Sequence, residues 1–193
     1  MLTAETIQTA YKKMGYDAVA VSNNDLTAGE DFFKNSMKNN FPWVSANVFS
    51  TSGKLLFNPF IIKQIGDIKV GVIGLTGSGK YKNDEIVIGG WQDSLPLQME
   101  NLISQTDMII LLSNLTSDQN NAIAKVFPEL DVIVTAHKKQ GNVPPFVLGD
   151  TLVTQTQGRG KYIGRLSMHY QPGKKWSDTV HETLSVSNLS LIH

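Results

Sequence analysis

The 193-residue sequence contains no cysteine, and this absence removes three classes of site at once. Without thiols the chain forms no disulfide, holds no metal through thiolates and carries no cysteine nucleophile. A net charge is absent as well, because 17 Lys and Arg residues balance 17 Asp and Glu residues. Balanced charge provides no electrostatic footprint for a polyanion, so we expect no nucleic-acid partner.

Long hydrophobic runs are also missing from the chain. No apolar stretch approaches the about 20 residues that a membrane-spanning helix needs. The first 21 residues, MLTAETIQTAYKKMGYDAVAV, lack the apolar core of a signal peptide. We therefore expect no membrane span, and we find no export signal in this stretch.

What the sequence does contain is an alternation of strand-like and helix-like segments. Helical spacing predicts helices over residues 3–15, 27–40 and 95–104, and DMIILLSN at 107–114 is typical of a buried strand. Two strands within 52–76 meet at a turn at Gly66 and Asp67. This mixture predicts an α/β fold with layered sheets, in one domain over 1–193.

Polar loops follow several of the predicted strands. They read SNND after YDAVAV, SN after DMIILL, AHKK after DVIVT and QGRGK after TLVTQT. Ligand sites in α/β sheets gather at the carboxyl ends of strands. The pattern therefore predicts one site built from these loops.

The stretch GLTGSGKY at 74–81 is similar to a phosphate-binding loop, but its context does not fit one. Such a loop needs Ser or Thr after the lysine to hold Mg²⁺, and a helix that begins there. Tyr81 follows Lys80 instead, and YKNDEIVIGG has no helical pattern. We interpret the stretch as a glycine-rich turn after a buried strand.

Read together, four segments resemble the 5'-nucleotidase family of calcineurin-like metallophosphoesterases. They match in order along nearly the whole chain: GYDAVAVSNNDLTAG, FPWVSANVFSTSGKLLFNPFIIKQIGDIKVGVIGLT, LDVIVTAHKK and TLVTQTQGRGKYIGRL. The resemblance implies a four-layer α-β-β-α sandwich, truncated at the N-terminus. It also implies hydrolysis of phosphate monoesters by two metal ions held by Asp, His and Asn from strand-end loops.

The ligand motifs of that family are only partly present in this chain. Asp-x-His and Gly-Asp have no counterpart, and Gly-Asn-His-Glu/Asp reads SNND, with Asn23 at the ligand asparagine and Asn24 at the catalytic histidine. The resemblance places Asn114 at a lone ligand histidine. In the Gly-His-x-His motif it retains His137 and places Lys139 at the second histidine.

These replacements predict a degenerate domain without the dinuclear centre, acting as a binding or structural module. A neutral amide is a poor ligand for zinc, iron or manganese, and a protonated lysine has no lone pair to offer. The alternative is an active phosphoesterase with manganese, zinc or iron, completed by a further segment or another chain. In that case Asn23 and His137 are the surviving ligands.

A third hypothesis is a metal-free anion pocket for phosphate or nucleotide, formed by Lys139, Arg159 and Lys161. Asn23, Asn24 and Asp25 have a structural alternative as a turn. Because the first family motifs have no counterpart here, we also expect a homo-oligomer or a second chain to cover the sheet. The resemblance implies a periplasmic or extracellular location.

Overall fold

The computed structural model describes residues 4–79, 85–136, 143–157, 162–171, 173–176 and 187–190 of the chain. The chain divides into two compact units. The first comprises Met1–Ile61 and Ile73–Gln98, and the second comprises Ile62–Val72 and Met99–His193. No helix of the described residues is long and apolar enough to cross a membrane.

The first unit is built from short helices and short strands. Its elements in chain order are α1 (Ala4–Met14), β1 (Val19–Ala20), a 3-10 helix (Asp25–Ala28), α2 (Glu30–Lys38), β2 (Trp43–Val44), β3 (Val48–Ser50) and β6 (Ile86–Ile88). Strand β1 pairs in parallel with β2, and β3 pairs antiparallel with β6. Helix α3 (Trp91–Ile103) begins in this unit, four residues before the predicted start at 95.

The prediction of one helix over 27–40 is wrong, because Gly29 interrupts it. Gly29 has φ 86° and ψ 163°, a backbone conformation that ends the 3-10 helix and precedes α2. The helical spacing of Phe33 and Ser36 persists within α2, where both side chains are buried. The helix therefore begins three residues later than predicted, and Phe33 and Ser36 remain buried.

Aromatic side chains form the core of the first unit. The ring of Phe33 lies 5.4 Å from that of Trp43 and 5.0 Å from that of Phe57, both in edge-on geometry. The cluster is completed by Val21, Leu26, Phe41 and Val48. Burial of these rings is the main force that holds the short strands together, since two-residue strands contribute few hydrogen bonds.

A six-stranded sheet contains the remaining main strands, in the order β4-β5-β7-β8-β10-β9. These are β4 (Phe60–Ile65), β5 (Ile68–Leu75), β7 (Met108–Ser113), β8 (Val132–Thr135), β9 (Val143–Leu148) and β10 (Thr151–Gln155). β7, β8 and β10 run in parallel, and β9 pairs antiparallel with β10. The turn between β4 and β5 falls at Gly66 and Asp67, as predicted.

Helix α4 (Ser117–Val126) connects β7 to β8, as expected for parallel neighbours. Thr116 caps it, accepting a hydrogen bond from the Gln119 N–H while the Gln119 side chain accepts one from the Thr116 N–H. The second unit also contains β11 (Tyr162–Arg165), paired antiparallel with β12 (Ser187–Ser190). The predicted α/β class is confirmed.

Two aspartates mark the starts of parallel strands in the second unit. Asp107, just before β7, accepts a hydrogen bond from the Lys69 N–H through its side chain (2.7 Å) and donates its own N–H to the Lys69 carbonyl (2.8 Å). Asp131, just before β8, makes the same pair with Ile109, at 2.7 Å and 3.0 Å. Each carboxylate thus extends the ladder by one hydrogen bond beyond the strand.

Candidate functional site

The SNND segment forms a closed turn after β1. The Asp25 carboxylate accepts hydrogen bonds from the Ser22 N–H (2.8 Å) and the Ser22 hydroxyl (2.7 Å). The Asp25 N–H in turn donates to the Ser22 carbonyl (3.0 Å). The acidic residue of the motif therefore stabilises its own turn.

Asn23 lies buried in this turn against the glycine-rich stretch. Its side chain is 6% exposed. A Cβ atom built on Gly79 would lie only 2.0 Å from Asn23 Oδ1 and 2.4 Å from Asn23 Cγ, so a side chain at position 79 would force one of the two residues to shift. Gly79 thus lies close to the amide oxygen with which an asparagine would bind a metal.

Asn24 is exposed and directly precedes the 3-10 helix. Its backbone is helical (φ −71°, ψ −32°), and its side chain makes no capping hydrogen bond. Its carbonyl accepts the Thr27 hydroxyl at 2.7 Å. The residue at the position of the catalytic histidine therefore begins a helical turn at the surface.

A buried polar network lies beside the turn, and sequence analysis assigned it no role. Thr76 donates its hydroxyl to the Val21 carbonyl (2.7 Å) and lies 2.8 Å from the Ser45 hydroxyl. Asn47 donates to the carbonyls of Thr76 (2.8 Å) and Gly89 (2.9 Å). The signal was present in the sequence, since Ser45, Asn47 and Thr76 each end or interrupt an apolar run. The network fixes the strand end from which the SNND turn begins.

Asn114 belongs to the second unit, where it directly follows β7 and is half-buried. The Ser113 hydroxyl beside it donates to the Asn120 side chain of α4 (2.7 Å) and accepts from the Leu115 N–H (3.2 Å). The loop that contains Asn114 is therefore held to the first turns of the following helix. The structure places Asn23 and Asn24 together in the first unit.

His137, Lys139, Arg159 and Lys161 lie outside the described residues. The strands that lead towards them, β8 and β10, pair in parallel with Thr135 opposite Gln155. The Thr135 hydroxyl also donates to the Gln155 side chain at 2.7 Å. These two strands therefore end at the same level, with their last side chains hydrogen-bonded.

The described residues do not fit a dinuclear metal centre. Nowhere among them do three His, Cys, Asp or Glu side chains form a group able to hold a metal ion. Within the described residues, the resemblance assigns three positions to the site, namely Asn23, Asn24 and Asn114. All three carry neutral amides. Amide oxygens bind zinc, iron and manganese more weakly than imidazole or carboxylate do.

No protein-family model matches the chain. A 5'-nucleotidase of Vibrio cholerae is 29% identical over 202 aligned positions, which cover 84% of this chain and 36% of that protein. The fold matches the sulfate thiohydrolase SoxB of Thermus thermophilus, with a TM-score of 0.77, 18% identity and coverage of 95% of this chain and 34% of that one.

It also matches the calcineurin-like phosphoesterase YfkN of Bacillus subtilis. That TM-score is 0.70 at 21% identity, with coverage of 82% of this chain and 59% of that one. The expected metallophosphoesterase type of α/β fold is thus confirmed. The chain spans about a third of the length of the curated relative described above. By sequence the chain thus resembles 5'-nucleotidases, and its fold is that of the calcineurin-like metallophosphoesterases.

Proposed function

We propose that this chain forms part of a metallophosphoesterase domain that has lost the dinuclear centre and acts as a binding or structural module. The observation that carries this proposal is the approach of Gly79 to Asn23. A ligand asparagine needs space for a metal at its amide oxygen, and here the chain's own backbone occupies space beside that atom. The 6% exposure of Asn23 fits a structural role.

The residue types at the other positions support the same proposal. Asn24 and Asn114 carry neutral amides where the family has histidines, and Lys139 brings a positive charge to a third such position. A lysine ammonium repels a cation and lacks a lone pair until it is deprotonated. The Asp25 carboxylate is engaged by Ser22, so it completes the turn.

A second candidate function is metal-independent binding of phosphate or nucleotide. β8 and β10 end side by side at Thr135 and Gln155, and the segments that follow them contain Lys139, Arg159 and Lys161. Cations following neighbouring parallel strands favour an anion site at that edge. In this function Lys139, which replaces a metal ligand, would neutralise the negative charge of the bound anion directly.

We further propose that the chain works outside the cytoplasm, as the resemblance implies, and that it acts together with a second copy or another chain. The chain matches 36% of the Vibrio cholerae relative. The activity of that relative stays a property of that protein.

Metal content and turnover, measured on one sample, test the main proposal. Protein purified without chelator is analysed for Mn, Fe, Co and Zn, and phosphate release from a generic aryl phosphate is measured with each metal added. We expect no stoichiometric metal and no metal-stimulated turnover. About two metals per chain, as two-metal phosphatases hold, with turnover that His137→Ala abolishes and His169→Ala preserves, would refute it.

The anion candidate needs a separate measurement. Calorimetric titration with inorganic phosphate in excess EDTA should show saturable binding that Lys139→Ala weakens. Lys38→Ala, on the exposed end of α2, serves as the matched control. Equal binding by both variants, or binding that EDTA removes, would contradict a metal-independent site at Lys139.

A further inference from the structure

The first unit contains a cavity of about 370 Å³ that the proposed function does not use. Its lining comes from α1, β1, the 3-10 helix, α2 and β2. Four aromatic residues take part in the lining: Tyr11, Phe32, Phe41 and Trp43. A volume of this size lies in the range of small-molecule sites, roughly 300–1,000 Å³.

Three hydrogen-bond donors of the cavity wall are already engaged elsewhere. Trp43 Nε1 and Gln8 Nε2 both donate to the Ser36 hydroxyl, at 2.7 Å and 2.6 Å. The Thr27 hydroxyl donates to the Asn24 carbonyl at 2.7 Å. These three side chains are therefore held within the protein, and aromatic rings make up much of the remaining wall.

The charge of the lining has one sign. Asp25 contributes a carboxylate, and no Lys, Arg or His is found among the described residues that line the cavity. The pKa of the Tyr11 phenol is raised by burial first, and then by Tyr16 and by the negative charge of Asp25. Tyr11 and Asp25 therefore lie within electrostatic reach of each other, and an anion would meet a repulsive field.

We propose that this cavity is a binding site for a small organic ammonium ion. Aromatic faces attract such cations through their quadrupoles, and one carboxylate offsets the charge. Alkyl groups on the nitrogen would pack against Phe32, Phe41 and Trp43. The cavity shares Asn24 and Asp25 with the SNND turn, and it favours ligands of the opposite charge to phosphate.

Three probes of nearly equal shape test the proposal. They are choline, its neutral isostere 3,3-dimethylbutan-1-ol, and the anion 3,3-dimethylbutanoate, each titrated into ¹⁵N-labelled protein by NMR. We expect choline to shift the Trp43 indole signal saturably, and the neutral isostere to bind about tenfold more weakly. The anion should cause no shift. Equal binding of choline and its isostere, strongest binding of the anion, or no binding at all would each overturn the proposal.

Variants locate the site on the protein. Tyr11→Leu removes an aromatic face, and Asp25→Asn removes the charge while its amide oxygen still accepts from Ser22. Both should weaken choline binding by about fivefold or more. Asp31→Asn, on the exposed side of α2, should leave it unchanged. Choline binding that survives both Tyr11→Leu and Asp25→Asn would refute this location.

Discussion

Asn47 and Thr76 bind each other through a reciprocal pair of hydrogen bonds. The Thr76 N–H donates to Asn47 Oδ1 over 2.8 Å, and Asn47 Nδ2 donates to the Thr76 carbonyl over 2.8 Å. The side-chain amide therefore pairs with the backbone of Thr76 as a neighbouring strand would. Both residues are at most 1% exposed, so no water competes for these groups.

This network makes the hydroxyl of Thr76 important for stability. Thr76→Val keeps the shape of the side chain but leaves the Val21 carbonyl without this donor and removes one of the two hydrogen-bond partners of the Ser45 hydroxyl. We expect the free energy of unfolding to fall by about 1–3 kcal/mol, as for other buried unsatisfied groups. Urea denaturation measures the change. Thr76→Ser, which keeps the hydroxyl, should lose clearly less stability. Equal losses in the two variants would contradict a dominant role of the hydroxyl.

Gly79→Ala should disturb Asn23 directly. The new methyl group would meet the Asn23 amide at 2.0 Å, so the turn or the glycine-rich stretch must shift. We expect a loss of about 1–3 kcal/mol in unfolding free energy, typical of overpacking, together with a shift of the Asn23 side-chain amide signals in NMR. Ser78→Ala, at the exposed neighbouring position, is the control. An unchanged Asn23 signal in Gly79→Ala would contradict the close approach.

Ser36→Ala should weaken the link between α1, α2 and β2. Ser36 is 1% exposed, and its hydroxyl accepts from both Trp43 Nε1 and Gln8 Nε2. Without it the buried indole N–H has lost its acceptor, at a cost of about 1–3 kcal/mol. Thermal unfolding and tryptophan fluorescence report the change. Ser104→Ala, at an exposed position, should leave both readouts unaltered.

Asp131 should make stability depend on pH. Burial raises the pKa of its carboxyl, while the Ile109 N–H and Lys175 partly oppose the shift. Because the folded state binds the proton more tightly than the unfolded state, this group favours folding at low pH. Its contribution declines as pH rises from the ordinary aspartate range through the folded pKa.

The measurement is unfolding free energy by urea between pH 3.5 and 7, in steps of about half a unit, a window around the ordinary aspartate pKa. Asp131→Asn should remove the declining component, since the amide titrates in neither state. Asp67→Asn, at the exposed turn between β4 and β5, controls for the loss of one carboxylate. If the unfolding free energy of Asp131→Asn depends on pH in the same way as that of the original protein, this role is refuted.

The hydrophobic periodicity of the sequence was sufficient to predict those elements in which the local pattern and the tertiary packing agree. DMIILLSN forms β7, and Gly66 with Asp67 forms the turn between β4 and β5. It failed at Gly29, where one backbone conformation divides a continuous helical pattern. It also missed β9, because Pro144 and Pro145 argue against a strand. β9 stands at the end of the sheet, where missing N–H donors are tolerated.

Only those residues of the candidate site that lie in recognised sequence motifs could be predicted. Asn23, Asn24 and Asn114 were identified by the resemblance, and the SNND turn by the preference of Asn and Asp for such geometry. The contact between Gly79 and Asn23 was not predictable, because it joins segments over 50 residues apart through a glycine that has no side chain. The partnership of Asn47 with Thr76, 29 residues further along the chain, was hidden in the same way.

The aspartates that precede β7 and β8 have a consequence for how the sheet assembles. Parallel strands must find their partners across long connections, and a slip by one residue would turn every side chain to the opposite face. A slipped β7 or β8 would also carry Asp107 or Asp131 away from the backbone N–H of Lys69 or Ile109. Misaligned pairings thus lose a charged hydrogen bond in addition to their packing. The two carboxylates therefore favour the correct strand register over a register that is shifted by one residue.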